Sequence, residues 1–411
     1  MQPGNSLSRC GGTEWNGRDL LILAFLVLAA IHCVRSDFFV NESGGIDWRG
    51  YASGEIQMPF QGRVGMIPVL RWAEHSGVMV QGAAKYESMM SVASKYSEPV
   101  SVEKFASLVV GLIAVLAMLG YCVAYSRRRG FEAWWLPSVL MLLILMVTLA
   151  VRSEHDVWTP YDLPHAALFG IAVMCAFESE WWLMLALFSV DVVLRETSVY
   201  LLAVSIPMSW MAWRGVEPRR LRVGVMAGVI GAFEGEWWPV LAPLALDLHM
   251  RKTSIYLLAA SIPMSGVAWR GVGSRNLRVG VMAGVMGGYW LAWRMAIQRR
   301  FAGNPNDTGL HWGANFHELV FPHHWPQMFS AGGYLIVFVW LARGRLCVKE
   351  RLLLWCTLVT APVTLYFGRW GETRIWLEWT LPWAVLAARE LEQYFREYAL
   401  GPGENRRMVL G

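Results

Sequence analysis

Seven charged side chains and one tyrosine hold most of the chemistry this chain can offer: Asp47, Tyr51 and Arg63, then Asp162, the adjacent Arg195 and Glu196, and finally Glu372 and Arg374. A carboxylate beside a bound alcohol takes up its proton as general base. An arginine fork grips a phosphate or pyrophosphate through two parallel N–H···O bonds. Aromatic rings such as Tyr51, Trp48 and Trp158 offer flat apolar faces for a sugar. Each residue also has a plainer reading. Asp47 can be a solvated loop acid, Asp162 can cap the helix that starts at "YDLPH" (161–165), and Arg195–Glu196 can be a neighbouring pair that anchors a helix turn. Convergence on one face is what would turn these separate anchors into a polar pocket.

The elements that must position them are apolar. Of 411 residues, 55% are hydrophobic and only 16% are charged, and apolar runs of about 15 to 20 residues recur, enough to cross a hydrocarbon core of about 30 Å as helices. The runs are continuous rather than alternating, which argues against a β-barrel. The expected fold is all-α: one integral membrane domain over 1–411, a polytopic bundle of about 10 to 13 membrane helices. Spans are expected near 20–34, 105–126, 134–151, 163–177, 181–194, 197–213, 279–296, 328–342, 352–367 and 375–389. The first is expected to be retained rather than cleaved, since it has no small-residue cleavage site and runs into Arg35. The six cysteines suggest no disulfide framework, and the net charge of +5 does not call for a nucleic-acid partner.

Basic loops set the sidedness. Arg127–Arg129, Arg214 with Arg219, Arg220 and Arg222, and Arg343 to Arg351 place their loops and the N-terminus in the cytoplasm. Residues 35–104 then form a large non-cytoplasmic loop, with "PFQGRVGMIPVLRWAEH" as an amphipathic piece along the bilayer surface. The loop at 298–327, with His311, His317, His323 and His324 in no recognised metal-ligand spacing, falls on the same side. A tandem duplication complicates the count: 177–232 and 233–288 match at about 36 of 56 positions. The second copy replaces Glu196 by Lys252. The apolar run 223–233, where the first copy ends, is too short to span, so a re-entrant piece there keeps the downstream chain on its side, with about 12 crossings in all.

The order of motifs resembles bacterial GT-C-type membrane glycosyltransferases, in their mannosyltransferase-like branches. The matches are Asp47 and Tyr51 after the first span, Pro59-Phe60 through Arg63 to Pro68, "YDLPH" at 161–165, Leu194 to Thr197, and Gly368, Glu372, Arg374, Glu378 and Pro382. The resemblance implies transfer of a sugar from a polyprenyl-phosphate donor to a glycan or lipid acceptor, on the non-cytoplasmic face of a bacterial inner membrane. Asp47 is the match to the catalytic acid. Tyr51, Arg63, Asp162, Arg195, Glu196, Glu372 and Arg374 would bind substrate, and no cofactor is required, though a divalent metal is compatible. Other readings stay open: an O-antigen-type polymerase or ligase working through His311 or His317, a transporter or flippase, and an inactive member in which the duplication has disturbed the pocket.

Overall fold

The computed structural model describes residues 15–41, 47–56, 63–93, 100–150, 159–201, 204–208, 275–304, 316–317, 320–321, 335–367 and 373–408. Among them every regular element is helical. They are α1 (Gly17–Asn41), α2 (Trp48–Ser53), α3 (Ile67–His75), α4 (Gly77–Ala93), α5 (Val102–Arg128), α6 (Leu136–Ala150), α7 (Asp162–Glu178), α8 (Trp181–Leu194), α9 (Arg275–Arg300), α10 (Leu335–Leu341), α11 (Val348–Phe367) and α12 (Thr380–Met408). Most of the second repeat copy, including Lys252, most of the histidine-rich loop, and the re-entrant piece expected at 223–233 lie outside the described residues.

Local sequence explains where the helices start and stop. Asn16 Oδ1 accepts from Asp19 N at 2.9 Å and Ser101 Oγ from Lys104 N at 3.2 Å, capping α1 and α5. The chain turns from α7 into α8 at Ser179, whose φ of 68° is left-handed, with Glu180 N donating to the Cys175 carbonyl at 2.8 Å. The region expected as one large loop instead contains three helices, α2 to α4. The last helix extends well past residue 389 because the polar stretch 390–400 holds no glycine or proline, and the helix continues beyond it through Gly401-Pro402-Gly403.

Among the described residues, two helices are long and apolar enough to cross a membrane, Gly17–Ser36 of α1 and Val102–Arg128 (α5); α8 and most of α6 are apolar but shorter. Along α1, Leu21, Phe25 and Leu28 recur at helical spacing and are 74%, 69% and 65% exposed, an apolar stripe that no described residue covers. Inside, α7 is almost wholly buried and packs against α5, α8 and the start of α12. Phe169 meets Trp379 edge-on at 5.3 Å. Gly170 is what permits this approach, since a Cβ there would lie 3.0 Å from Leu381 Cβ.

The basic triplet after α5 is tied down by acids. Arg127 lies over Trp15 (3.6 Å) and Trp134 (4.9 Å) and pairs with Asp19 at 2.9 Å. Arg128 pairs with Glu180 at 2.8 Å, and Arg129 with Glu178. This end of the bundle is therefore a belt of exposed or half-exposed ion pairs joining the start of α1, the end of α5 and the α7–α8 turn.

Candidate functional site

The opposite end holds a different kind of charge cluster, one that is buried. It starts at α2. Asp47 caps this helix, its Oδ1 accepting from Gly50 N at 3.1 Å, while its side chain stays exposed. The helix closes at Gly54, where φ is 96° and only glycine is at ease. One turn after Asp47, Tyr51 is fully buried and donates its hydroxyl to the Arg63 carbonyl. Burial, reinforced by Tyr161, holds the Tyr51 phenol well above its ordinary range, against the opposing pull of Arg63, so it stays a proton donor at neutral pH. Arg63 is 8% exposed and donates through Nη1 to Tyr161 Oη at 3.0 Å. The Tyr51 and Tyr161 rings are 6.2 Å apart.

The next residue, Asp162, is in the first turn of α7, where Pro164 is tolerated. Tyr161, not Asp162, occupies the capping position. The Asp162 carboxylate is instead 3.3 Å from Arg195 Nη1. Arg195 ends α8 in extended conformation and lies 3.8 Å from Glu378 Oε1. His165, one turn along α7 from Asp162, sits between two acids: Nδ1 is 2.6 Å from Asp191 Oδ1 and Nε2 is 3.1 Å from Glu378 Oε1. Thr197, on the 3-10 turn Glu196–Val199, donates its hydroxyl to the same Glu378 oxygen and is 3.1 Å from His165 Nε2. His165, Asp191 and Glu378 are at most 1% exposed.

Six ionisable side chains thus share one desolvated neighbourhood. With both ring nitrogens of His165 facing carboxylates, a doubly protonated imidazole donates to each, and Arg63, Arg195 and His165 balance Asp162, Asp191 and Glu378. Charge balance is what makes such burial tolerable, since each isolated ion would cost several kcal/mol. Hydrogen bonding is incomplete: among the described residues Arg195 Nε and Nη1, Asp191 Oδ2 and Glu378 Oε2 have no hydrogen-bond partner. No group of three His, Cys, Asp or Glu among the described residues is arranged to hold a metal ion.

Of the residues singled out from the sequence, Tyr51, Arg63, Asp162 and Arg195 come together in this cluster. Asp47 stands at its exposed edge, one helical turn from Tyr51. The side chains of Glu196 and Arg374, and all of Glu372, lie outside the described residues. Tyr161, His165, Asp191, Thr197 and Glu378 were not singled out as site residues. One signal existed: Asp162 and His165 are spaced i, i+3 and so share one face of an apolar helix.

Packing fixes the cluster's first arm. A Cβ on Gly65 would meet Leu194 Cδ2 at 2.6 Å and the Val193 carbonyl at 3.1 Å, so the turn after Arg63 rests directly on the end of α8. Gly65→Val is expected to cost about 1–3 kcal/mol by overpacking against a backbone that cannot yield. A thermal midpoint equal to wild type would show that this contact is not tight.

The chain matches no protein-family model, no curated protein and no solved structure.

Proposed function

We propose that this protein is a multi-pass membrane glycosyltransferase of GT-C type that transfers a sugar from a polyprenyl-phosphate donor, with the buried cluster and its exposed rim as the active site. The supporting observation is convergence. Tyr51, Arg63, Asp162 and Arg195, chosen for their chemistry and spread over 144 positions of chain, meet in one polar cluster inside an otherwise apolar bundle. Ionisable groups at such depth are costly and mark substrate paths.

In this reading α6 to α9, α11 and α12 also cross the bilayer, the ion-pair belt is cytoplasmic, and the cluster end faces the other side of a bacterial inner membrane. Asp47, at the rim, takes the proton of the acceptor hydroxyl. The acceptor oxygen attacks the anomeric carbon, and the bond to the donor phosphate oxygen breaks with its electron pair. The leaving polyprenyl phosphate is held by the guanidinium groups of Arg63 and Arg195.

Asp47→Asn separates the two roles of that residue, because asparagine caps a helix as well as aspartate does but is no base. The expected result is an unchanged melting midpoint with sugar transfer reduced by at least about 100-fold, from the range typical of a positioned base. Transfer at the wild-type rate would remove Asp47 from the mechanism. Lipid translocation that persists after Asp47, Asp162 and Glu378 are all neutralised would favour a transporter instead.

A further inference from the structure

The duplicated segment raises a structural question that is independent of the catalytic reading. Each copy ends in the same sequence, "LRVGVMAGV" at 221–229 and again at 277–285, so each is a candidate for the same seat beside α8. The structure seats the second. In α9, Tyr289 donates its hydroxyl to the Ser189 carbonyl at 2.9 Å and its ring lies 6.3 Å from Phe188. Met286 Sδ is 3.8 Å from Ser205 Oγ. Ser189 and Ser205 belong to the first copy, so the first copy's α8 and residues 204–208 pack against the end of the second copy and the residue that follows it.

Physical chemistry explains the choice. The residue that follows the first copy, equivalent to Tyr289 after the second, is Phe233, which has no hydroxyl for Ser189. Beyond it the chain reads Glu234-Gly235-Glu236, equivalent to Glu178-Ser179-Glu180, where the described chain turns through a left-handed residue and both acids form ion pairs. At Glu178–Glu180 that pattern ends α7. The second copy instead continues as Trp290-Leu291-Ala292-Trp293, which prolongs α9 to 26 residues, about 39 Å at 1.5 Å per residue.

The polarity of α9 agrees. Asn304, just past its end, donates to the Gly54 and Ile56 carbonyls at 3.0 and 2.7 Å, at the cluster end of the bundle. The helix length carries Arg275 and Arg278 to the end occupied by Arg127–Arg129. Residues 200–208 lead away from the cluster, and α9 returns to it.

We propose that the helix seat beside α8 is built for the repeat's terminal segment, that only the second copy fills it, and that 56 residues between the two halves of the seat are a dispensable insertion. Removing 209–264 joins Met208 to Ser265 within the shared "SIPMS" and restores a single repeat unit without touching α8, α9 or the buried cluster.

Two experiments test this. In the full chain with native cysteines replaced, Ser205→Cys with Met286→Cys is expected to react with a short bifunctional thiol cross-linker, and Ser205→Cys with Ile230→Cys is not. Equal or preferential cross-linking to position 230 would overturn the seat assignment. The excised protein is expected to purify as a monodisperse species with a melting midpoint within a few degrees of the full chain. Failure to recover folded excised protein would overturn dispensability. Neither readout depends on sugar transfer.

Discussion

Arg195→Met is expected to lose about 3–5 kcal/mol of stability, because it strands buried acids rather than removing a surface pair. Arg195 Nη1 lies between Asp162 and Glu378, and all three side chains are at least nine-tenths buried. Methionine fills similar volume, so the loss is electrostatic and not a cavity effect. Arg195→Lys restores the charge without the planar fork, and should recover much of the stability while still binding a phosphate-bearing donor less tightly. A melting midpoint for Arg195→Met within error of wild type would mean that the cluster's charges are already screened by water or protonated.

His165→Leu is the second large effect, again about 3–5 kcal/mol, since Asp191 loses its 2.6 Å partner at a fully buried position. The informative comparison is the double variant. His165→Leu with Asp191→Leu removes both members of the α7–α8 pair, leaving Glu378 with Thr197 and Arg195. It should be more stable than His165→Leu alone, because a buried pair replaced by apolar groups is nearly neutral whereas a broken pair is not. If the two substitutions simply add, His165 and Asp191 are not energetically coupled, and the short contact is incidental to the fold.

These effects show which parts of the molecule were legible from sequence. The apolar helices were: α8 was bounded correctly from its composition, and α5 and α7 to within a few residues, since a bundle interior demands continuous apolar runs. The helices α2 and α4 were not, because they are short or of mixed polarity, and Val78 and Met89 of α4 remain exposed, whereas α3 lies inside the stretch read as amphipathic. The polar end of α12 was missed because charges that end an apolar run need not end a helix. In the cluster, Arg195 and Asp162 stood out as charges at the edges of apolar runs. His165 and Asp191 lay inside the runs, where each alone resembles a tolerated polar residue. Only their packing across α7 and α8 shows that they are partners. Asp47 was legible as an acid after the first long helix, but that it caps α2 depends on Gly50, which leaves room for the carboxylate: a Cβ there would be 2.4 Å from Asp47 Oδ2.

The far-flung origin of the cluster also sets a timetable for biosynthesis. Glu378 follows Asp191 by 187 residues, so at about 5–20 residues per second it emerges roughly 10–40 s later. During that interval His165 Nε2 has no carboxylate partner and Arg195 has only Asp162. Glu378 is the late-arriving acid that completes the set, and until it docks, α7 and α8 retain a polar face that a half-made chain must shield with water, lipid headgroups or a chaperone.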